Sequence, residues 1–92
     1  MADARRVRIK GRVQGVFFRA WTKEQAEQLG VLGWVRNCSD GSVEAHLEGD
    51  SEKVSELIGR LRAGPPAANV SSVEIQDVDP EDFHHFAVAL SF

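Results

Sequence analysis

The sequence lacks the features that mark several large classes of protein. One cysteine, Cys38, is present among 92 residues, so no disulfide can form within the chain and a reducing compartment is expected. No segment approaches the ~20 consecutive apolar residues of a membrane-spanning helix. The first residues are not followed by the apolar stretch of a signal peptide. We therefore expect a cytoplasmic protein that has no membrane partner and forms one domain over residues 1–92.

A strong excess of charge of one sign is also missing. The 11 Lys and Arg residues and 14 Asp and Glu residues give a net charge of −3 at pH 7, which provides no general attraction for nucleic acid or for an acidic membrane. The hydrophobic share of 42% and the charged share of 27% are typical of a soluble globular domain. We expect a monomer with no nucleic-acid partner.

Hydrophobic periodicity predicts the order β-α-β-β-α-β with an added final strand. The predicted strands cover residues 5–13, 33–38, 43–47, 70–78 and 86–92, and the predicted helices cover residues 20–29 and the segment between Asp50 and Gly64. Gly30 is expected to end the first helix, and Val73 and Ile75 are expected to point inward from the fourth strand. The economical arrangement is an α+β, ferredoxin-like sandwich, in which two helices cover one face of an antiparallel sheet and a short C-terminal strand is added.

The segment from Gly11 to Arg19 lies where the first strand ends and the first helix begins. A helix N-terminus presents unpaired N–H groups and the positive end of the helix dipole, so it attracts an anion. The Arg19 cation is unfavourable there unless an anion compensates it, and its guanidinium can bind a phosphate through paired hydrogen bonds. A surface arginine with no role is the alternative. The residues predicted to bind phosphate through loop N–H groups and side chains are Gln14, Gly15, Val16, Phe17, Phe18 and Arg19.

Asn37 closes the second strand at the same predicted edge of the sheet. A right-handed crossover makes the first two strands parallel, so the Gly15–Arg19 loop and the Asn37–Gly41 turn are expected to be neighbours. The Asn37 amide could hold a water molecule through its donor and its acceptor. Capping of its own turn is the commoner role of an asparagine at such a position. Both interpretations stay open from the residues alone.

These motifs resemble those of the acylphosphatase family. The resemblance is carried by Gly11-Arg-Val-Gln-Gly-Val-Phe-Phe-Arg19, Gly33-Trp-Val-Arg-Asn37, Asp40-Gly-Ser-Val-Glu44 and Gly49, and it extends over almost the whole chain. It implies the ferredoxin-like fold and hydrolysis of the carboxyl–phosphate bond of small acyl phosphates, without a metal, a cofactor or a covalent intermediate. The family's phosphate-binding arginine falls on Arg19, and its water-positioning asparagine falls on Asn37.

Two other functions are compatible with this fold. An RNA-binding module would stack bases on aromatic side chains of the open sheet face, but charged residues are predicted there, and we expect them to form a solvated face of cross-strand ion pairs. A metabolite-sensing domain without catalytic activity would leave Arg19 and Asn37 without a joint purpose. The predicted open-face residues are Arg6, Arg8, Lys10, Arg12, Glu44, His46 and Glu48.

The remaining reactive side chains are assigned no role in catalysis. The residues after Cys38 contain no arginine, so they do not form the anion-binding loop of a cysteine phosphatase, and the thiol is interpreted as a passenger. The histidines, His46, His84 and His85, are expected on the surface without a metal, because no second cysteine or carboxylate cluster completes a ligand set. The Phe17 side chain could line the mouth of the pocket or fill the core, and the core is the default assignment.

Overall fold

Residues 2–89, which the computed structural model describes, form a five-stranded sheet and two helices. The elements are β1 (Ala2–Arg12), α1 (Phe18–Leu29), β2 (Leu32–Asn37), β3 (Val43–Asp50), α2 (Ser51–Ala63), β4 (Asn69–Asp77) and β5 (Phe86–Val88). The strand order is β4-β1-β3-β2-β5. All neighbours are antiparallel except β5, which pairs in parallel with β2. The predicted ferredoxin-like α+β sandwich is confirmed, and the sheet is mixed because of β5.

Both helices pack on the face of the sheet where the alternating strand residues are apolar. Val7 and Ile9 of β1 are fully buried beneath them, as is Leu47 of β3. The predicted apolar stripe of α2, which comprises Val54, Leu57, Ile58 and Leu61, is buried as expected. Gly30 ends α1 in the left-handed conformation with φ 70°, and its N–H group reaches the carbonyl oxygens of Ala26 and Glu27, so the predicted helix stop is confirmed.

Element boundaries and one inward-facing residue differ from the predictions. α1 begins at Phe18 rather than at residue 20. β1 begins at Ala2 rather than at residue 5, because β3 continues to Asp50, which lies opposite Ala2. Val73 packs against the core, but Ile75 is 41% exposed, so its predicted inward position is wrong. β4 is an outer strand, and Ile75 lies beyond its part that packs against the core. Leu90 and Phe92 of the predicted last strand lie outside the described residues.

The second face of the sheet is covered at its centre, although Lys10 and Arg12 of β1 remain exposed. His46 of β3 is 0% exposed, which contradicts its predicted surface position. Its ring stacks on Trp34 with centroids 6.1 Å apart, and the centre of the Phe83 ring lies 5.3 Å away. The guanidinium groups of Arg6 and Arg36 lie 5.0 and 4.9 Å from the centre of the Trp34 ring. Aromatic and charged side chains therefore build a second, polar core on this face.

Glu48 fastens the connection between β4 and β5 to this polar core. Its carboxylate accepts hydrogen bonds from the backbone N–H groups of Glu81, at 2.7 Å, and Phe83, at 2.8 Å. It also lies 2.8 Å from Nε2 of His46, whose Nδ1 is 3.2 Å from the Arg6 guanidinium. Burial alone would raise the pKa of Glu48, but the hydrogen bonds from Glu81, Phe83 and His46 hold this pKa below its ordinary value.

The predicted cross-strand pairing of charges is confirmed between Arg8 and Glu44, at 3.3 Å.

The lowered pKa of Glu48 gives a testable acid dependence of stability. A carboxylate whose pKa is lower in the folded state stabilises the fold above its unfolded pKa of about 4.3, and this stabilisation is lost as the pH falls through the folded pKa. Replacing Glu48 with glutamine should lower the free energy of unfolding near neutral pH and flatten its decrease in acid. Urea denaturation at several pH values measures both effects.

Glu24→Gln, on the exposed surface of α1, is the matched control and should leave the acid dependence close to that of the wild type. If the free energy of unfolding decreased equally with falling pH in the wild type and in Glu48→Gln, the Glu48 carboxylate would not couple protonation to folding.

Candidate active site

The loop between β1 and α1 turns through two residues in the left-handed region of backbone space. Gly15 has φ 73° and Phe17 has φ 61°. A Cβ at Gly15 would meet no atom within 4 Å, so this position needs glycine for its conformation and not for space. Concave loops of this kind, built with left-handed residues, direct successive N–H groups toward one point and bind anions. The predicted cradle therefore has a suitable backbone.

The N-terminus of α1 presents its N–H groups without the usual compensation. Phe17 is the N-cap, its side chain makes no capping hydrogen bond, and the first turn contains no acidic residue. By contrast, the N-terminus of α2 has both a capping hydrogen bond and an acidic residue in its first turn. Asp50 Oδ1 accepts a hydrogen bond from the N–H of Glu52 at 3.0 Å, and Glu52 is the acidic residue. Arg19 adds a cation to the first turn of α1. This end of α1 therefore favours an anion.

Arg19 and Asn37 line one cavity of about 370 Å³ at the carboxyl-terminal edge of β1 and β2. The complete lining is Val13, Gly15, Phe17, Phe18, Arg19, Ala20, Asn37 and Val88. Two residues of the predicted phosphate-binding loop are not part of it: Val16 is buried in the core, and the Gln14 side chain bonds elsewhere. Val88 was not among the predicted site residues, because it reaches the cavity through the pairing of β5 with β2, which is distant in sequence.

The side chain of Asn37 does not cap its own turn. Its Oδ1 is buried and accepts no hydrogen bond from any residue within 2–89. The turn is capped instead by Asp40, whose Oδ1 accepts from the N–H of Ser42 at 2.9 Å and from its hydroxyl at 2.6 Å. These bonds from Ser42, with Arg8 nearby, hold the pKa of Asp40 below its ordinary value. Asn37 therefore lines the cavity without the capping bond that is the commoner role of such an asparagine.

Gln14 joins the loop to the turn that follows Asn37. Its Nε2 donates to the carbonyl oxygens of Cys38, at 2.8 Å, and Ser42, at 2.9 Å. The turn is closed by a further bond from the Cys38 N–H to the Ser42 carbonyl at 2.8 Å. The expectation that the loop and the turn are neighbours is confirmed.

Phe17 does not occupy the core. Its side chain is 85% exposed at the cavity, which contradicts the default assignment. The exposure of Phe17 could not be predicted from hydrophobicity, because it depends on the left-handed backbone at the N-cap. That backbone turns the Phe17 side chain outward, whereas the neighbouring Phe18 is buried.

Within residues 2–89, no group of at least three His, Cys, Asp or Glu side chains could hold a metal ion. His84 and His85 are exposed, as expected. None of the helices described is long and apolar enough to span a membrane.

The fold and the cavity define an α+β sandwich that has a pocket at a helix N-terminus. A model of the acylphosphatase family matches residues 5–88. The chain is 57% identical over 74 residues to an acylphosphatase of Rhizorhabdus wittichii, with 80% of this chain and 75% of that protein covered. It is 53% identical over 85 residues to an acylphosphatase of Rhizobium etli, with 88% and 90% covered. The structure of an acylphosphatase from Coxiella burnetii superposes with a TM-score of 0.92 at 39% identity, with 96% of this chain and 93% of that chain covered.

The chain therefore belongs to the acylphosphatase family. This membership places it among the acylphosphate phosphohydrolases, which are enzymes.

The bonds from Gln14 can be tested by a substitution that keeps the size of the side chain. In Gln14→Glu the donor is replaced by a carboxylate oxygen that faces two carbonyl oxygens, so both bonds are lost and the oxygens repel. The free energy of unfolding should fall by about 1–3 kcal/mol, measured by urea denaturation. Gln76→Glu, which introduces the same charge at an exposed position of β4, should change it much less. Equal losses in the two variants would mean that charge, and not the bridge, is responsible.

Proposed function

We propose that this protein hydrolyses the carboxyl–phosphate bond of small acyl phosphates, which yields a carboxylate and inorganic phosphate. The observation that carries the proposal is the convergence on one cavity of Arg19, Asn37 and three loop residues, Gly15, Phe17 and Phe18. The proposed partner is a small-molecule substrate, and we infer a cytoplasmic monomer that requires no cofactor.

The phosphoryl group is bound by the loop and by Arg19. The guanidinium donates paired hydrogen bonds to the phosphoryl oxygens, and the N–H groups of the cradle, which we assign to Gln14 through Phe18 as well as Arg19, supply further fixed donors. In the transition state of phosphoryl transfer, charge spreads over the three equatorial oxygens. Donors that are held in place before the reaction stabilise that charge without reorganisation. Rate enhancement therefore comes mainly from electrostatic stabilisation and positioning.

Asn37 orients the attacking water. Asn37 lines the cavity, and its amide offers an acceptor and a donor with which it can hold a water molecule and direct the lone pair of that water toward phosphorus. The water attacks in line with the bond that breaks, which joins phosphorus to the acyl oxygen. The electron pair of that bond leaves with the carboxylate.

The proton of the water passes to an oxygen of the phosphoryl group. The cavity is lined by no carboxylate, histidine or thiol among the described residues, so these side chains offer no general base. A carboxylate is a good leaving group, and an acid catalyst is not needed to expel it.

We do not infer binding of RNA. Trp34, the aromatic side chain on the second face of the sheet that could stack a base, is already flanked by the guanidinium groups of Arg6 and Arg36 and by the ring of His46.

The two proposed roles predict large kinetic effects. Arg19→Ala and Asn37→Ala should each lower kcat for benzoyl phosphate by about 100-fold or more, because each removes a group that acts on the transition state. Hydrolysis is followed in the presence of a chelator, with circular dichroism to show that the variants are folded. Arg62→Ala on α2 and Asn69→Ala on β4, both exposed, are the matched controls. A folded Asn37→Ala variant with wild-type kcat would remove the assigned role of the amide.

The absence of an enzyme base predicts a characteristic pH profile. Between about pH 5 and about pH 9, kcat/KM should show no limb that is governed by an enzyme group with a pKa near 6.5, the ordinary value of histidine. The double variant His84→Ala/His85→Ala should give the same profile. A fall of kcat/KM below about pH 6.5 that disappears in the double variant would identify a histidine base and contradict the mechanism.

A further inference from the structure

The side chain of Phe17 is exposed in a way that its position in the fold does not require. The large apolar side chains exposed within residues 2–89 are those of Phe17, Ile75 and Val88, and two of these, Phe17 and Val88, line the proposed catalytic cavity. At 85% exposure the Phe17 ring gains almost nothing from burial, which is the usual contribution of an aromatic side chain to stability.

The backbone at Phe17 does not explain the ring either. Its φ of 61° is strained for a residue with a bulky side chain, and glycine would adopt the same conformation without strain. The anion cradle uses the left-handed backbone and its N–H groups, and neither depends on a phenyl ring. The chain therefore carries a costly residue whose ring contributes neither to the core nor to the shape of the loop. Such an outlier at a site points to a role in function.

The cavity has two chemically different parts. Arg19 and Asn37 supply charge and polarity, whereas the side chains of Val13, Ala20 and Val88 are apolar. An acyl phosphate has the same division, because a charged phosphoryl group is joined through one oxygen to a less polar acyl group. When the phosphoryl group lies at Arg19, the acyl group lies in the cavity that the ring of Phe17 also lines.

We propose that the ring of Phe17 is the contact surface for the acyl group and is a specificity-determining residue. This inference rests on the proposed function. The ring favours substrates with a flat or extended apolar acyl group, such as a benzoyl group, over an acetyl group that is too small to cover it. Since the contact forms beside the reacting bond, it discriminates between acyl groups and not between phosphoryl groups.

The test is the ratio of kcat/KM for benzoyl phosphate to kcat/KM for acetyl phosphate. An aromatic contact of ordinary strength predicts that Phe17→Ala lowers this ratio by roughly fivefold to tenfold. Any disturbance of the cradle backbone lowers both values and cancels in the ratio. Phe17→Gly should lower the ratio equally, since it also lacks the ring, and it should melt at a higher temperature than Phe17→Ala because the backbone strain is relieved.

Ile75→Ala is the matched control, because it removes another exposed apolar side chain outside the cavity, and it should keep the wild-type ratio. An unchanged ratio in Phe17→Ala and Phe17→Gly, with an active wild type, would overturn the inference and leave the proposed function intact. If the ratio fell in Phe17→Ala but not in Phe17→Gly, the effect would come from the backbone and not from the ring, and the inference would be overturned as well. A wild type that hydrolyses neither substrate would overturn both the function and the inference.

Discussion

The arrangement of the site depends on the bridge that the Gln14 amide makes to the carbonyl oxygens of Cys38 and Ser42. The loop follows β1, and Asn37 ends β2, which is separated from β1 in the sheet by β3. Backbone pairing ends at Arg12 in β1 and at Asn37 in β2, so it does not by itself fix the loop that comes after. The Gln14 side chain ties that loop to the turn with two hydrogen bonds, and the roles proposed for Arg19 and Asn37 require that both be held in place.

The same sheet uses different physics on its two faces. Under the helices, apolar side chains such as Val7 and Leu47 are removed from water, and the stabilisation is non-directional. On the other face, His46 and Glu48 are also buried, and they are tolerated because each has hydrogen-bonding partners of fixed geometry. That second layer holds the segment before β5 against the sheet. It thereby fixes the approach to the strand that brings Val88 to the cavity.

What could be predicted from the sequence follows from the range of the interactions involved. Period-two and helical patterns depend on near neighbours, so they located the strands, the α2 stripe and the end of α1 at Gly30. Arg19 and Asn37 could be brought together because the handedness of a crossover is a general rule. The burial of His46 was missed because one of the side chains that contact it, Phe83, is distant in sequence. The outward ring of Phe17 was missed because hydrophobicity does not report backbone conformation.

The pairing of β1 with β4 has a consequence for how the chain reaches this structure. Arg5 lies opposite Asp77, so two of the neighbouring strands come from nearly opposite ends of the chain. Pairing them closes most of the chain into one loop, and the entropy of that closure is lost before the contacts return any free energy. The hairpin of β2 and β3 has no such cost. Folding is therefore expected to be limited by the search that joins the two ends, and to be slower than that of a helical domain of the same size.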